Sequence, residues 1–208
     1  MTDGARAYGG VAVAERRARR RSALLDAALD LLADGGAGVV TKRAVCQRAR
    51  LNDRYFYEHF ADRDALLETL AAEVTGQGIV VVVAAVHAAP PDVHARVRAA
   101  ADAAIGFVVA DPRHAALLLQ GHSAEPLQRA RQASQHAIAR AMVAVAADQP
   151  AGPSTLLAGA PVDAEMIAFT VVSGLLELVA AWIREEFTAS REHLTDLVAR
   201  LLLAGVTR

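Results

Sequence analysis

"RLNDRYFYEHFADRDALL", residues Arg50–Leu67, is the stretch whose reading decides the fold. The chain has only five Phe, three Tyr and one Trp in 208 residues. Yet Tyr55, Phe56, Tyr57 and Phe60 fall within six positions, interleaved with Arg54 and His59. Asn52 is placed to cap a helix running to about Phe60, and Asp62 to cap another that begins "DRDALLETLAAEV". On the first of these helices Phe56 and Phe60 stand at i and i+4 and share one face, which leaves Arg54, Tyr55, Glu58 and His59 to project elsewhere.

Upstream, Thr41 caps a short helix to about Arg48, and a longer helix from Ala14 carries Leu24, Ala28, Leu31 and Leu32 on one face. "DGGAG", Asp34 to Gly38, ends that first helix, because glycine suits the left-handed position at a helix C-terminus. Residues 1–13 lack periodicity and are expected as a flexible arm. Two short helices joined by a tight turn, the second beginning at Asn52, fit a helix-turn-helix, whose second helix enters the DNA major groove. Val45, Ala49, Leu51, Phe56 and Phe60 would form its buried seam.

Downstream the helices lengthen. Expected spans are Asp62 to about Val86, Asp92 to Val109, Pro112 to about Gln120, Pro126 to about Ala147, Ala164 to Glu186, and Arg191 to Gly205. "IVVVV" (79–83) could pass for a buried strand by β-propensity, but no partner strand is evident and it is kept as helix. "DQPAGPSTLLAGAPVD" (148–163) reads as a loop. The fold class is therefore all-α, about nine helices, divided as arm 1–13, head 14–61 and body 62–208.

Composition agrees. Hydrophobic residues make up 54% of the chain, enough for a substantial core. One cysteine, Cys46, excludes an internal disulfide and a multi-cysteine zinc site. The most apolar run, Ile79 to Val86, is shorter than the roughly 20 residues a bilayer requires, and the N-terminus lacks the apolar core of a secretory signal. The expectation is a cytoplasmic protein without a membrane segment. Net charge is −1, but residues 1–63 sum to +4 and residues 64–208 to −5, a basic head on an acidic body. No nucleophile elbow, phosphate loop or metal-ligand spacing is present, so neither enzyme activity nor a cofactor nor a metal is expected.

The segment from Leu24 to Leu70, "LLDAALDLLADGGAGVVTKRAVCQRARLNDRYFYEHFADRDALLETL", resembles the DNA-binding head of TetR-family transcriptional repressors. The resemblance is carried by Thr41, Val45, Ala49, Leu51, Asn52, Tyr57, His59, Phe60, Arg63, Leu66 and Leu67. It implies base contacts from Arg43, Arg54 and Tyr55, and phosphate contacts from Lys42, Tyr57, His59 and Arg63. Arg16, Arg17, Arg19, Arg20 and Arg21 could follow the DNA backbone or enter a minor groove, or form a solvated helix face. The family's turn glycine is Arg50 here. A left-handed backbone at that site would cost on the order of 1 kcal/mol, unless the turn differs or the guanidinium finds a phosphate.

The resemblance also implies a homodimer on a palindromic DNA site, formed by the last two helices through Leu175, Leu178, Leu194, Leu197, Val198 and Leu201. A small-molecule pocket in the body would draw on Phe107, His114, Leu118, His122, Met142 and Trp182. The implied function is a ligand-released repressor. An activator, a ligand-independent regulator and a helical interaction module without DNA binding are the alternatives.

Overall fold

The computed structural model describes residues 4–147 and 161–204. Among these residues it is all-helical: α1 (Gly4–Gly35), α2 (Lys42–Ala49), α3 (Asp53–Tyr57), α4 (Arg63–Ala88), α5 (Val93–Ala110), α6 (Pro112–Leu119), α7 (Glu125–Ala147), α8 (Pro161–Ile183) and α9 (Arg191–Ala204). Single 3-10 turns follow α1 at Ala37–Val39 and α6 at Gln120–His122. "IVVVV" is helical, inside α4.

The helix starts follow side-chain chemistry. Thr41 Oγ1 accepts from Ala44 N at 3.1 Å, Asn52 Oδ1 from Tyr55 N at 3.3 Å and Asp62 Oδ1 from Ala65 N at 2.8 Å. Asp92 and Asp111 cap α5 and α6 in the same way. Three boundaries differ from expectation. α1 begins at Gly4, so residues 4–13, expected as an arm, are helical. α3 ends at Tyr57, three residues early, and the chain reaches Phe60 through tight turns closed on Arg54 O and Phe56 O. α8 runs Pro161–Ile183 rather than 164–186, because Pro161 suits the first helical turn. Most of the expected 148–163 loop lies outside the described residues.

The chain forms two compact units, residues 1–70 and 71–208. The division falls inside α4, later than the expected 61/62, since the first turns of α4 bring Leu66, Leu67 and Leu70 into burial. In the first unit α1 packs on α2 and α3, and Leu24, Leu32, Val40, Val45 and Phe56 are fully enclosed.

In the second unit α5 packs along α9, α7 along α8, and α6 touches α5 and α8. Two apolar clusters result. One joins Ala101 and Ile105 of α5, Val179 of α8, and Leu194, Val198 and Ala199 of α9. The other joins Ala139 of α7 to Ala164, Ala168 and Val172 of α8. α8 is apolar nearly all round because it serves both.

Over 18-residue windows α4 and α8 reach mean hydropathies of 1.8 and 2.0, long and apolar enough to cross a membrane. The expectation drawn from the shorter Ile79–Val86 run missed this, because in α4 Leu70, Ala71, Ala72 and Val74 ahead of that run keep the longer average high. Length and composition alone are weak evidence for a span; in α8 the apolar side chains Ala168 and Val172 are buried against α7.

Candidate DNA-binding surface

The helix pair α2–α3 is set by its turn. Arg50 adopts φ 54° and ψ 40°, the left-handed conformation. Its N–H donates to Gln47 O at 3.2 Å, and Leu51 N–H donates to Cys46 O at 2.9 Å. This crossed pair satisfies carbonyls at the end of α2 and turns the chain into the cap of α3. Cβ-bearing residues are disfavoured there by about 1 kcal/mol. The turn therefore keeps the geometry a glycine would give, with an arginine in place.

α3 is seated from below and tied from the side. Phe56 is fully buried and Phe60 nearly so, their ring centroids 5.8 Å apart. Tyr57, 59% exposed, meets Phe56 edge-on at 5.7 Å. Lys42 Nζ donates to Asp53 Oδ2 at 2.6 Å and to Tyr57 Oη at 3.4 Å, linking the first turn of α2 to α3. Those partners, Asp53 first, raise the Lys42 pKa. From α1, Arg17 donates to Glu58 O at 3.2 Å, Arg20 reaches the Glu58 carboxylate at 3.6 Å, and the Arg20 guanidinium lies 4.4 Å from the Tyr55 ring centroid.

The seven proposed contact residues thus divide. Arg43 is exposed, with no ion-pair partner among the described residues. Arg54 is 85% exposed and held only by Glu58 at 3.4 Å. Lys42 and Tyr57 are accessible but bonded to one another. Tyr55 is half-buried, with the Arg20 guanidinium over its ring.

His59 turns inward: Nε2 is buried without a hydrogen-bond partner among the described residues. Burial, then the nearby Arg17, holds the imidazole pKa below its ordinary range, which disfavours its charged form. Arg63 is also engaged. Its Nε donates to Val40 O and its Nη2 to Ala37 O, both at 2.6 Å. The sequence signal for this was only the basic residue one position after the Asp62 cap, which equally fits a phosphate contact.

Cys46 is 4% exposed, and burial pushes its thiol pKa up, which favours the unreactive protonated form.

The residues expected to line a pocket fall into several contacts. Phe107 and His114 stack at 4.4 Å, with His114 Nδ1 3.0 Å from Phe107 O. Leu118 and Trp182 pack on the α5–α8–α9 cluster, and Met142 on the separate α7–α8 cluster. His122 is a surface residue, with Nε2 3.7 Å from Glu177. An open groove of about 600 Å³ is lined by Val109, Pro112, Trp182, Ile183 and Phe187; of the expected residues it includes Trp182. Among the described residues no group of three His, Cys, Asp or Glu side chains is arranged to hold a metal.

The expected dimer residues divide as well. Leu194 and Val198 are buried inside the chain's own core, and Leu175 and Leu178 pack partly against it. Helical periodicity marks a face as apolar but not which neighbour covers it. Leu201 is 52% exposed, and Leu197 is half-buried. The outward face of α8 instead carries Val162, Met166, Thr170 and Gly174.

Residues 24–70 match the family model for bacterial regulatory proteins of the tetR family. No curated protein sequence matches the chain. Solved structures match its fold. The transcriptional regulator FadR from Bacillus subtilis, in complex with stearoyl-CoA, is 17% identical with a TM-score of 0.70, covering 89% of this chain and 99% of that one. The fatty acid degradation regulator FadR from Bacillus halodurans is 16% identical with a TM-score of 0.66, covering 90% and 96%. A TetR-like transcriptional regulator from Rhodococcus sp. RHA1 is 19% identical with a TM-score of 0.62, covering 89% and 94%.

Proposed function

We propose that the chain, whose residues 24–70 match the tetR-family model, is a transcriptional regulator of that family and acts as a repressor. On this reading it binds a palindromic operator as a homodimer in the cytoplasm and is released by a small molecule. The observation that carries the proposal is the pairing of a firmly seated α3 with cations left exposed at its edge. Phe56 and Phe60 fix the helix, Asn52 caps it, and Arg43 and Arg54 keep exposed guanidinium groups. An arginine can bond guanine O6 and N7 through two parallel N–H groups, which suits both for reading bases. Lys42 and Tyr57 can turn from one another to phosphate oxygens.

One short helix reads too few base pairs for useful specificity, so two heads must act together. The exposed apolar side chains of Val162 and Met166, the open position at Gly174 and the exposed Leu201 support pairing through α8 and α9. α4 is one continuous helix through residue 70, the last of the first unit. A ligand that binds better when the two heads are wrongly spaced lowers operator affinity by its differential affinity for the two states, and α4 is the element we assign to that coupling.

The test is selection of bound fragments from genomic DNA at about physiological salt, by the wild type and by Arg43→Ala/Arg54→Ala. Recovery of a palindromic site by wild type alone supports the reading. No enrichment by folded, dimeric wild type defeats it. Release is then tested on the recovered site. Stearoyl-CoA, the ligand of the Bacillus subtilis structure, is a reasonable first probe, followed by products of the neighbouring genes.

A further inference from the structure

We propose that Arg50 is a DNA phosphate contact, an inference that rests on the DNA-binding reading above and adds a residue to its surface. Two non-glycine residues among those described have positive φ, Arg50 and Glu185. The turn at Arg50 has the geometry that a glycine supplies without strain, and its two backbone hydrogen bonds need no side chain at all. A Cβ-bearing residue held in a disfavoured conformation points to a use for its side chain.

The surroundings narrow that use. Around the helix pair, Arg43 apart, the nearby cations are engaged: Lys42 with Asp53, Arg48 with Asp34 at 2.8 Å, Arg20 and Arg54 with Glu58, and Arg63 with two carbonyls. Arg50 is exposed and, like Arg43, has no ion-pair partner among the described residues. It stands two residues ahead of the α3 cap, at the entry to the helix assigned to the groove. A planar guanidinium offers several N–H donors to the oxygens of one phosphate. Its position at the C-terminal end of α2 gives a competing account, in which the charge merely offsets the helix dipole. That account makes Arg50 matter for stability and leaves DNA affinity untouched.

The experiment measures affinity for a mixed-sequence DNA duplex between 50 and 200 mM salt, since phosphate contacts carry no base preference. The proteins are wild type, Arg50→Gly and Arg50→Asn, the latter two both tolerant of the left-handed turn, with Arg129→Ala in the body as control. Thermal melting of each checks its fold. Loss of one phosphate contact lowers the slope of log affinity against log salt by about 0.9, hence affinity by roughly fifteenfold at 50 mM and roughly fourfold at 200 mM. Both Arg50 variants should show this while melting no lower than wild type by more than a few degrees, and Arg129→Ala should match wild type. Wild-type slope and affinity in folded Arg50→Gly would overturn the proposal and leave the repressor reading standing. Failure of wild type itself to bind the duplex at 50 mM would overturn both.

Discussion

Replacing Arg63 with alanine should weaken the first unit through its fold, before any loss of DNA contact is considered. The guanidinium donates at 2.6 Å to Val40 O and to Ala37 O, in the segment between α1 and α2. Val40 is fully buried and Ala37 is 6% exposed, so the carbonyls sit beside enclosed side chains. A hydrogen bond to a charged group is worth about 1.5–3 kcal/mol net. The Arg63 side chain is itself 33% exposed, so water can partly replace it, and the two bonds together should be worth about 2–3 kcal/mol.

In a unit of this size that corresponds to a fall in melting temperature of roughly 10–20 °C. Arg63→Lys can serve one carbonyl but lacks the fork, and should fall between alanine and wild type. The assay is thermal unfolding of the full chain followed by far-ultraviolet circular dichroism and by tryptophan emission, because the single Trp182 lies in the second unit. The dichroism should show the early loss. Melting of Arg63→Ala within about 3 °C of wild type would refute the reasoning. So would full stability in Arg63→Lys, since charge alone would then suffice.

Three further outcomes are expected. The His59 pKa is held below the unfolded value of about 6.5, chiefly by burial, with Arg17, Arg20 and Arg21 opposing its charge and Glu58 favouring it. The unfolded chain therefore takes up a proton first, so stability should fall as pH drops below about 6.5 and down through the folded pKa; urea titrations of wild type and His59→Gln should differ in that window and converge above it. Asp111 is held down to about 2, mainly by Arg113. Its contribution is complete above about pH 4 and lost as pH falls through about 2, so Asp111→Asn should flatten that part of the acid limb. The buried Cys46 thiol should react with a disulfide reagent only on unfolding, and peroxide should leave DNA affinity unchanged; rapid labelling of the native chain would contradict the burial seen here.

The head was legible in the sequence where one residue type decides one backbone group. Thr41, Asn52 and Asp62 each placed a helix start, because a short side-chain oxygen at that position has an N–H to accept. The spacing of Phe56 and Phe60 likewise placed the buried side of the reading segment, even though α3 itself stops at Tyr57. What the sequence could not convey was engagement at long separation. Arg63 reaches back 26 residues to Ala37, and Arg20 covers Tyr55 from α1. The same limit made Leu194 and Val198 read as interface. Their stripe is apolar, but whether α5 or a second copy covers it depends on packing that no local pattern encodes.

Lys42 is the only lysine in the chain. Its ammonium bridges Asp53 and Tyr57 on the surface assigned to DNA. Apart from the α-amino group, any amine-directed reagent has a single address on this protein. Attachment to a sensor chip by amine coupling would fasten it down by the proposed reading face, and an acylated lysine there would break the link between α2 and α3. Immobilisation through an engineered tag at another site keeps that face open. Conversely, the rate of Lys42 acylation, with and without DNA, gives a one-residue footprint of occupancy that needs no operator sequence in advance.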